Sequence, residues 1–146
     1  MGHEVAHALA RHAGERISQA VVLELGISAI ALASSRDPDT QQRVAAALGI
    51  GLGVAVVLPF SRKHESEADY IGLMLMAKAG YDPRAAPAFW QRMSEASEGQ
   101  PPEFLSTHPS HERRIEDLQS WIADAMEYYQ QATGKGGEYQ GVTTGF

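Results

Sequence analysis

The sequence predicts a mainly α chain, and three observations predict it. Apolar residues recur at spacings near 3.6 along most of the chain. Turn residues separate those stretches. No run alternates apolar and polar residues convincingly enough to make a strand. A length of 146 residues suits one domain, or one domain lacking a piece. A hydrophobic fraction of 44% with 21% charged residues argues against wholesale disorder.

The first stretch, from Gly2 to about Ser34, contains no proline, and Val5, Leu9, Ile17, Val21 and Leu25 repeat at helical spacing. It reads as helix with a break expected near Gly26. Ser35-Arg36-Asp37-Pro38-Asp39 is a turn, with Asp37 or Asp39 as the next N-cap. From Val44 to Phe60 the chain carries no charge over 17 residues. As a helix this run would be about 25 Å long, at the short edge of a bilayer crossing. Gly49, Gly51 and Gly53 weaken it as a helix. It reads as a buried or lid-like helix, with membrane contact as the alternative.

The next helix is expected from Ser61, as N-cap, to Lys78, with a stop at Gly80. Asp82-Pro83 opens another, although Pro87 moves its start later; Phe89, Trp90 and Met93 form its expected core side. Residues 97–102 read as a loop. Thr107-His108-Pro109 opens the last helix, running to about Gln131 on a stripe of Ile115, Leu118, Trp121, Ile122, Ala125 and Tyr129. The domain is therefore placed at 1–132, with a Gly- and Thr-rich flexible tail at 133–146.

Twelve basic and 18 acidic residues give a net charge of −6, and the basic residues do not cluster. That pattern argues against a nucleic-acid partner. The absence of cysteine excludes disulfides, Cys-type zinc sites and a cysteine nucleophile. No Gly-x-Ser-x-Gly elbow is present either. The six histidines are then the main soft ligands.

His3-Glu4-Val5-Ala6-His7 matches the pattern HExxH. Residues four apart share a helix face, so His3 and His7 can direct two imidazole nitrogens at one zinc ion. Glu4 lies beside them and can take a proton from a metal-bound water, whose pKa the metal lowers from 15.7 to about 7. Two histidines leave zinc undercoordinated, because a catalytic site uses three protein ligands and a water. The third is sought at His64-Glu65-Ser66-Glu67-Ala68-Asp69. Glu65 and Asp69 share a face, so one can bind the metal while the other accepts an imidazole N–H. Glu67 reads as solvated, and His64 is a competing ligand. His12 and His111 read as surface or structural histidines.

GHEVAHALARH, SRKHESEADYIG, the AGYDP turn and STHPSHERRIEDL, in that order, resemble the zinc metallopeptidases of the HtpX, BepA and Oma type. These are gluzincins, relatives of the CAAX prenyl protease. The resemblance runs from Met1 to about Tyr129. It implies the helical portion of a zincin-like metallopeptidase domain that binds one Zn2+ per chain. It implies His3, His7 and Glu65 as metal ligands, Glu4 as catalytic base, and Asp69 as the carboxylate behind His3. His108 resembles a histidine near the metal that either stabilises the oxyanion or plugs the open coordination position. Arg62 and Arg114 are candidate partners of the buried acids.

Relatives carry a small sheet before HExxH, together with a signal peptide, lipid site or membrane anchor. This chain opens at the motif, so an N-terminally truncated domain without the upstream sheet is expected. The resemblance further implies a metalloendopeptidase of the bacterial cell envelope, periplasmic or membrane-associated, acting on unfolded or misassembled proteins in quality control. The alternative is a catalytically silent zinc-binding or chaperone-like fragment.

Overall fold

The structure, a computed structural model, describes residues 2–96 and 109–134. Among them every regular element is helical. These are α1 (Gly2–Leu9), α2 (His12–Ser34), α3 (Pro38–Leu52), a π-helical turn (Gly53–Val57), α4 (Leu58–Lys78), α5 (Ala85–Ala96), α6 (His111–Ser120) and α7 (Ile122–Gly134). The chain divides into two compact units. The described part of one is residues 2–6, 67–96 and 111–134; that of the other is 7–66 with 109–110.

The unit containing 7–66 is a long helical hairpin, α2 against α3. Its turn follows the expected chemistry. The Asp37 carboxylate accepts the Thr40 N–H at 3.0 Å and the Thr40 hydroxyl at 2.6 Å, and Pro38 opens α3. Those two bonds hold the Asp37 carboxyl below its ordinary range.

Three expectations for this unit are corrected. The first helix does not break at Gly26. It breaks after Leu9, where Arg11 takes the left-handed conformation at φ 58° and ψ 29°. Ser61 is not an N-cap. Leu52, the π-turn and Leu58 run on without interruption, and Ser61 is buried, its hydroxyl accepting from Arg16 at 2.6 Å. The π-turn, with Leu58 N–H bonded to Gly53 O, precedes Pro59. Pro59 has no N–H to continue the ordinary ladder, and the turn absorbs that local mismatch. The uncharged run is not buried either: Ile50 is 73% exposed, and Val54, Val57 and Phe60 are exposed too. The apolar stripe of the first stretch also faces outward, at Ile17, Val21 and Leu25.

In the other unit Leu73, Met74 and Ala77 of α4 pack with Leu118 and Ala125, and Ala86, Trp90, Trp121 and Tyr129 close around them. Gly80, at φ 82°, ends α4 with paired bonds from Gly80 N–H to Ala77 O and from Tyr81 N–H to Met76 O. That double cap needs the left-handed conformation that glycine supplies. Pro87 fits in the first turn of α5, where no N–H is needed. Phe89 and Met93 are exposed at 50% and 43%, so only Trp90 of the expected trio turns to the core. The expected single last helix is two, divided at Trp121, whose N–H is shared at 3.3 Å between the carbonyls of Asp117 and Leu118. The second runs on to Gly134, past the expected end. The rest of the expected tail lies outside the described residues.

The first turn of α1 lies against α4 in this unit with almost no space between them. A Cβ on Gly72 would meet His3 N at 3.0 Å and Gly2 C at 3.1 Å. Two glycines therefore let the backbones approach directly.

Candidate metal centre

The buried positions of α4 are Ser61, His64, Glu65, Ala68, Asp69, Gly72, Leu73, Met74 and Ala77, which follow the three-and-four spacing of one helix face. The start of this face is polar and its end is apolar. Burying carboxylates requires partners for them, and α1 and α6 supply these.

Asp69, 7% exposed, accepts a hydrogen bond from His3 Nδ1 at 2.8 Å. Arg114, equally buried, donates from Nη2 to Asp69 Oδ1 at 2.6 Å and from Nε to Oδ2. The guanidinium of Arg114 also lies over the Trp90 ring at 3.9 Å. The 3.1 Å separation of Arg114 Nη2 from His3 Nδ1 follows from two donors converging on one oxygen. With Nδ1 held by Asp69, a metal on His3 would take Nε2.

One turn along α1, His7 Nε2 lies 3.2 Å from Glu65 Oε1, and its Nδ1 lies 2.9 Å from His12 Nδ1. Both α1 and α4 are continuous, so the steps from His3 to His7 and from Glu65 to Asp69 are single helical turns. His3, His7 and Glu65 each offer a ligand atom, all within 4.8 Å of one another. Two imidazoles and one buried carboxylate at that spacing fit a zinc-type ligand set.

Glu4 is exposed on α1, next to His3. Glu67 is exposed, as expected of a solvated position. His64 is not one of the ligand cluster; its Nε2 pairs with Glu15 at 2.8 Å. Arg114, one of the two candidate arginines, is seated on Asp69. His12, read as structural or surface, is 3% exposed and bonded to a candidate ligand. His108 lies outside the described residues. His111 sits beside Trp90 at 5.6 Å.

A helix carrying HExxH, met by a buried acid from a second helix with its partner acid one turn on, is the arrangement of a metallopeptidase. The comparisons with known proteins give the family. The profile of peptidase family M48 matches residues 1–122. The chain is 41% identical over 129 residues to the mitochondrial metalloendopeptidase OMA1 of Schizosaccharomyces pombe, covering 86% of this chain and 36% of that protein. Against the mitochondrial metalloendopeptidase OMA1 of Homo sapiens it is 40% identical over 134 residues, covering 87% and 26%. It is 31% identical over 126 residues to the beta-barrel assembly-enhancing protease of Escherichia coli, covering 82% and 26%. No solved structure gives a significant match. The chain belongs to peptidase family M48.

This chain thus spans about a third or less of the length of these relatives. The expected bacterial envelope location is corrected by them: several of the most similar relatives are named as mitochondrial proteins, at 36–42% identity. The bacterial relative is more distant. The motifs that carry the resemblance lie at the candidate site, and residues of that kind speak to chemistry rather than to compartment.

Proposed function

We propose that this chain carries the active centre of a zinc-dependent metalloendopeptidase. The observation that supports it most is the convergence of His3, His7 and Glu65 within 4.8 Å, with Asp69 on His3. Zinc held there supplies Lewis acidity and brings the pKa of a water near 7. His3 and His7 donate imidazole nitrogens, and Glu65 donates a carboxylate oxygen. Glu4 takes the proton of the attacking water and passes it to the departing amine. Asp69, neutralised by Arg114, fixes the His3 tautomer. His108 would either support the developing oxyanion or bind a held zinc itself and silence the site. The substrates are proteins, which the protease names of the relatives support, and we read them as unfolded or misassembled ones.

The second part of the proposal is membrane association through α2 and α3. Two helices, His12–Ser34 and Pro38–Lys78, are long and apolar enough to cross a bilayer, with only 6% of each apolar window buried. Exposed apolar surface of this kind marks a contact site.

Zinc content and casein cleavage, measured on this chain and on Glu4→Gln, test the catalytic reading. One zinc per chain, with cleavage present in the parent and reduced about 100-fold or more in Glu4→Gln, is the expected result. Bound zinc with no cleavage in either protein favours a silent zinc-binding or chaperone-like fragment. Absence of zinc from protein purified without chelator overturns the assignment.

A further inference from the structure

The unit containing 7–66 holds two buried imidazoles, His12 and His64, that the proposed reaction does not use, in file behind the candidate ligand His7. His7 Nδ1 lies 2.9 Å from His12 Nδ1. The His12 ring stacks on His64 at 4.4 Å between centroids and 12° between planes. His64 Nε2 lies 2.8 Å from Glu15 Oε2. His12 and His64 are only 3% and 5% exposed, whereas Glu15 reaches solvent.

The geometry points to His12 as the positioning residue of the ligand His7, accepting its Nδ1–H. This rests on the metallopeptidase reading above. A nitrogen–nitrogen hydrogen bond needs one N–H and one lone pair. The Nε2 of His7 faces Glu65, so a metal takes that lone pair, and a neutral His7 then keeps its proton on Nδ1. His12 Nδ1 is therefore the acceptor, and His12 carries its own proton on Nε2. The two ligands have different supports. His3 rests on a carboxylate neutralised by Arg114; His7 rests on a neutral imidazole clamped by stacking.

The backbone at Arg11 makes this contact. Five residues of continuous helix would set positions 7 and 12 about 140° apart around the axis, facing away from one another. The chain instead ends α1 at Leu9, turns through left-handed Arg11, and starts α2 at His12. A non-glycine residue in that conformation costs on the order of 1–2 kcal/mol, and such strain gathers at functional sites. The Arg11 carbonyl then accepts the N–H groups of Gly14 and Glu15, which fixes the first turn of α2. Strain at Arg11 is thus offset by a second helix start that delivers His12 to His7.

Two measurements test this. Zinc affinity, read by competition with a chromophoric chelator, is compared for the parent, His12→Phe, His12→Asn and His7→Ala. His12→Phe keeps the stack and removes the acceptor; His12→Asn places an amide oxygen near the lost Nδ1. We expect His12→Phe to weaken zinc 10- to 100-fold and His12→Asn to recover most of it, with unchanged melting of the metal-free proteins. Equal affinity in His12→Phe and parent overturns the inference, as does Asn no better than Phe. Nitrogen-15 NMR of the zinc-loaded parent needs no variant. The proton of His7 is expected on Nδ1 and that of His12 on Nε2; a proton on His12 Nδ1 overturns the inference. If His7→Ala binds zinc as tightly as the parent, the metallopeptidase site itself fails, whatever His12 does.

Discussion

At the scale of single residues, Arg114 decides whether the polar half of the α4 face can be buried. Asp69 accepts from His3 and from two nitrogens of Arg114, so its charge is met inside the protein. Removing one member of such a pair is costlier than removing both, because the survivor stays buried and charged. Arg114→Met should lose about 3–5 kcal/mol in urea unfolding. Arg114→Met with Asp69→Leu should regain much of that stability while zinc binding stays weakened 10- to 100-fold, because His3 has lost its acceptor. Regained zinc affinity in the double variant would separate Asp69 from the metal centre. The sequence places Glu65 and Asp69 on one face by their spacing alone. Arg114 is 45 residues from Asp69, and no spacing rule links them. His12 is less legible still, because its contact depends on a left-handed arginine that no glycine or proline announces.

At the scale of elements, the two misplaced helix boundaries have different causes. Ser61 and Gly26 carry the residue types of a cap and a break, but residue type is a weak signal. Ser61 is taken by Arg16 from α2, whereas Gly26 has nothing within 4 Å of a Cβ, and its cost of about 1 kcal/mol does not break a 23-residue helix. Gly72, unlike Gly26, has a structural reason, since backbone atoms of α1 occupy the place of its side chain. Gly72→Ala must push the first turn of α1 away, because backbone cannot turn aside as a side chain can. We expect a loss of about 1–3 kcal/mol and a weakening of zinc binding, as His3 moves with that turn. Gly26→Ala should instead stabilise the protein by about 0.5–1 kcal/mol through helix propensity. Unchanged zinc affinity in Gly72→Ala, measured beside that control, would show that α1 is positioned by something other than this crossing.

At the scale of the whole molecule, the two units differ in what they do with apolar residues. In the unit with α5, α6 and α7, apolar side chains meet in a core around Leu73 and Leu118. In the hairpin unit the helical period is equally clear, yet Ile17, Val22, Leu25, Leu32 and Ile50 are 66–73% exposed. Periodicity read from sequence reports that a face is apolar and not what covers it. A bilayer suits the hairpin. Twenty-three residues of α2 reach about 34 Å, against a hydrocarbon core of about 30 Å. The charges Arg36, Asp37, Asp39 and Arg43 gather at the turn, where headgroups or water would meet them. Glu24, midway along α2, is the element of cost. Flotation with phosphatidylcholine vesicles decides the matter. The parent should rise with the lipid, and Leu25→Lys with Ile50→Lys should shift it to the bottom of the gradient. Each lysine at bilayer depth costs about 2.5–3.5 kcal/mol, roughly a hundredfold in partition. A parent that stays with the soluble fraction, and whose oligomeric state rises with concentration, would mean that the hairpin is covered by a second copy of the chain instead.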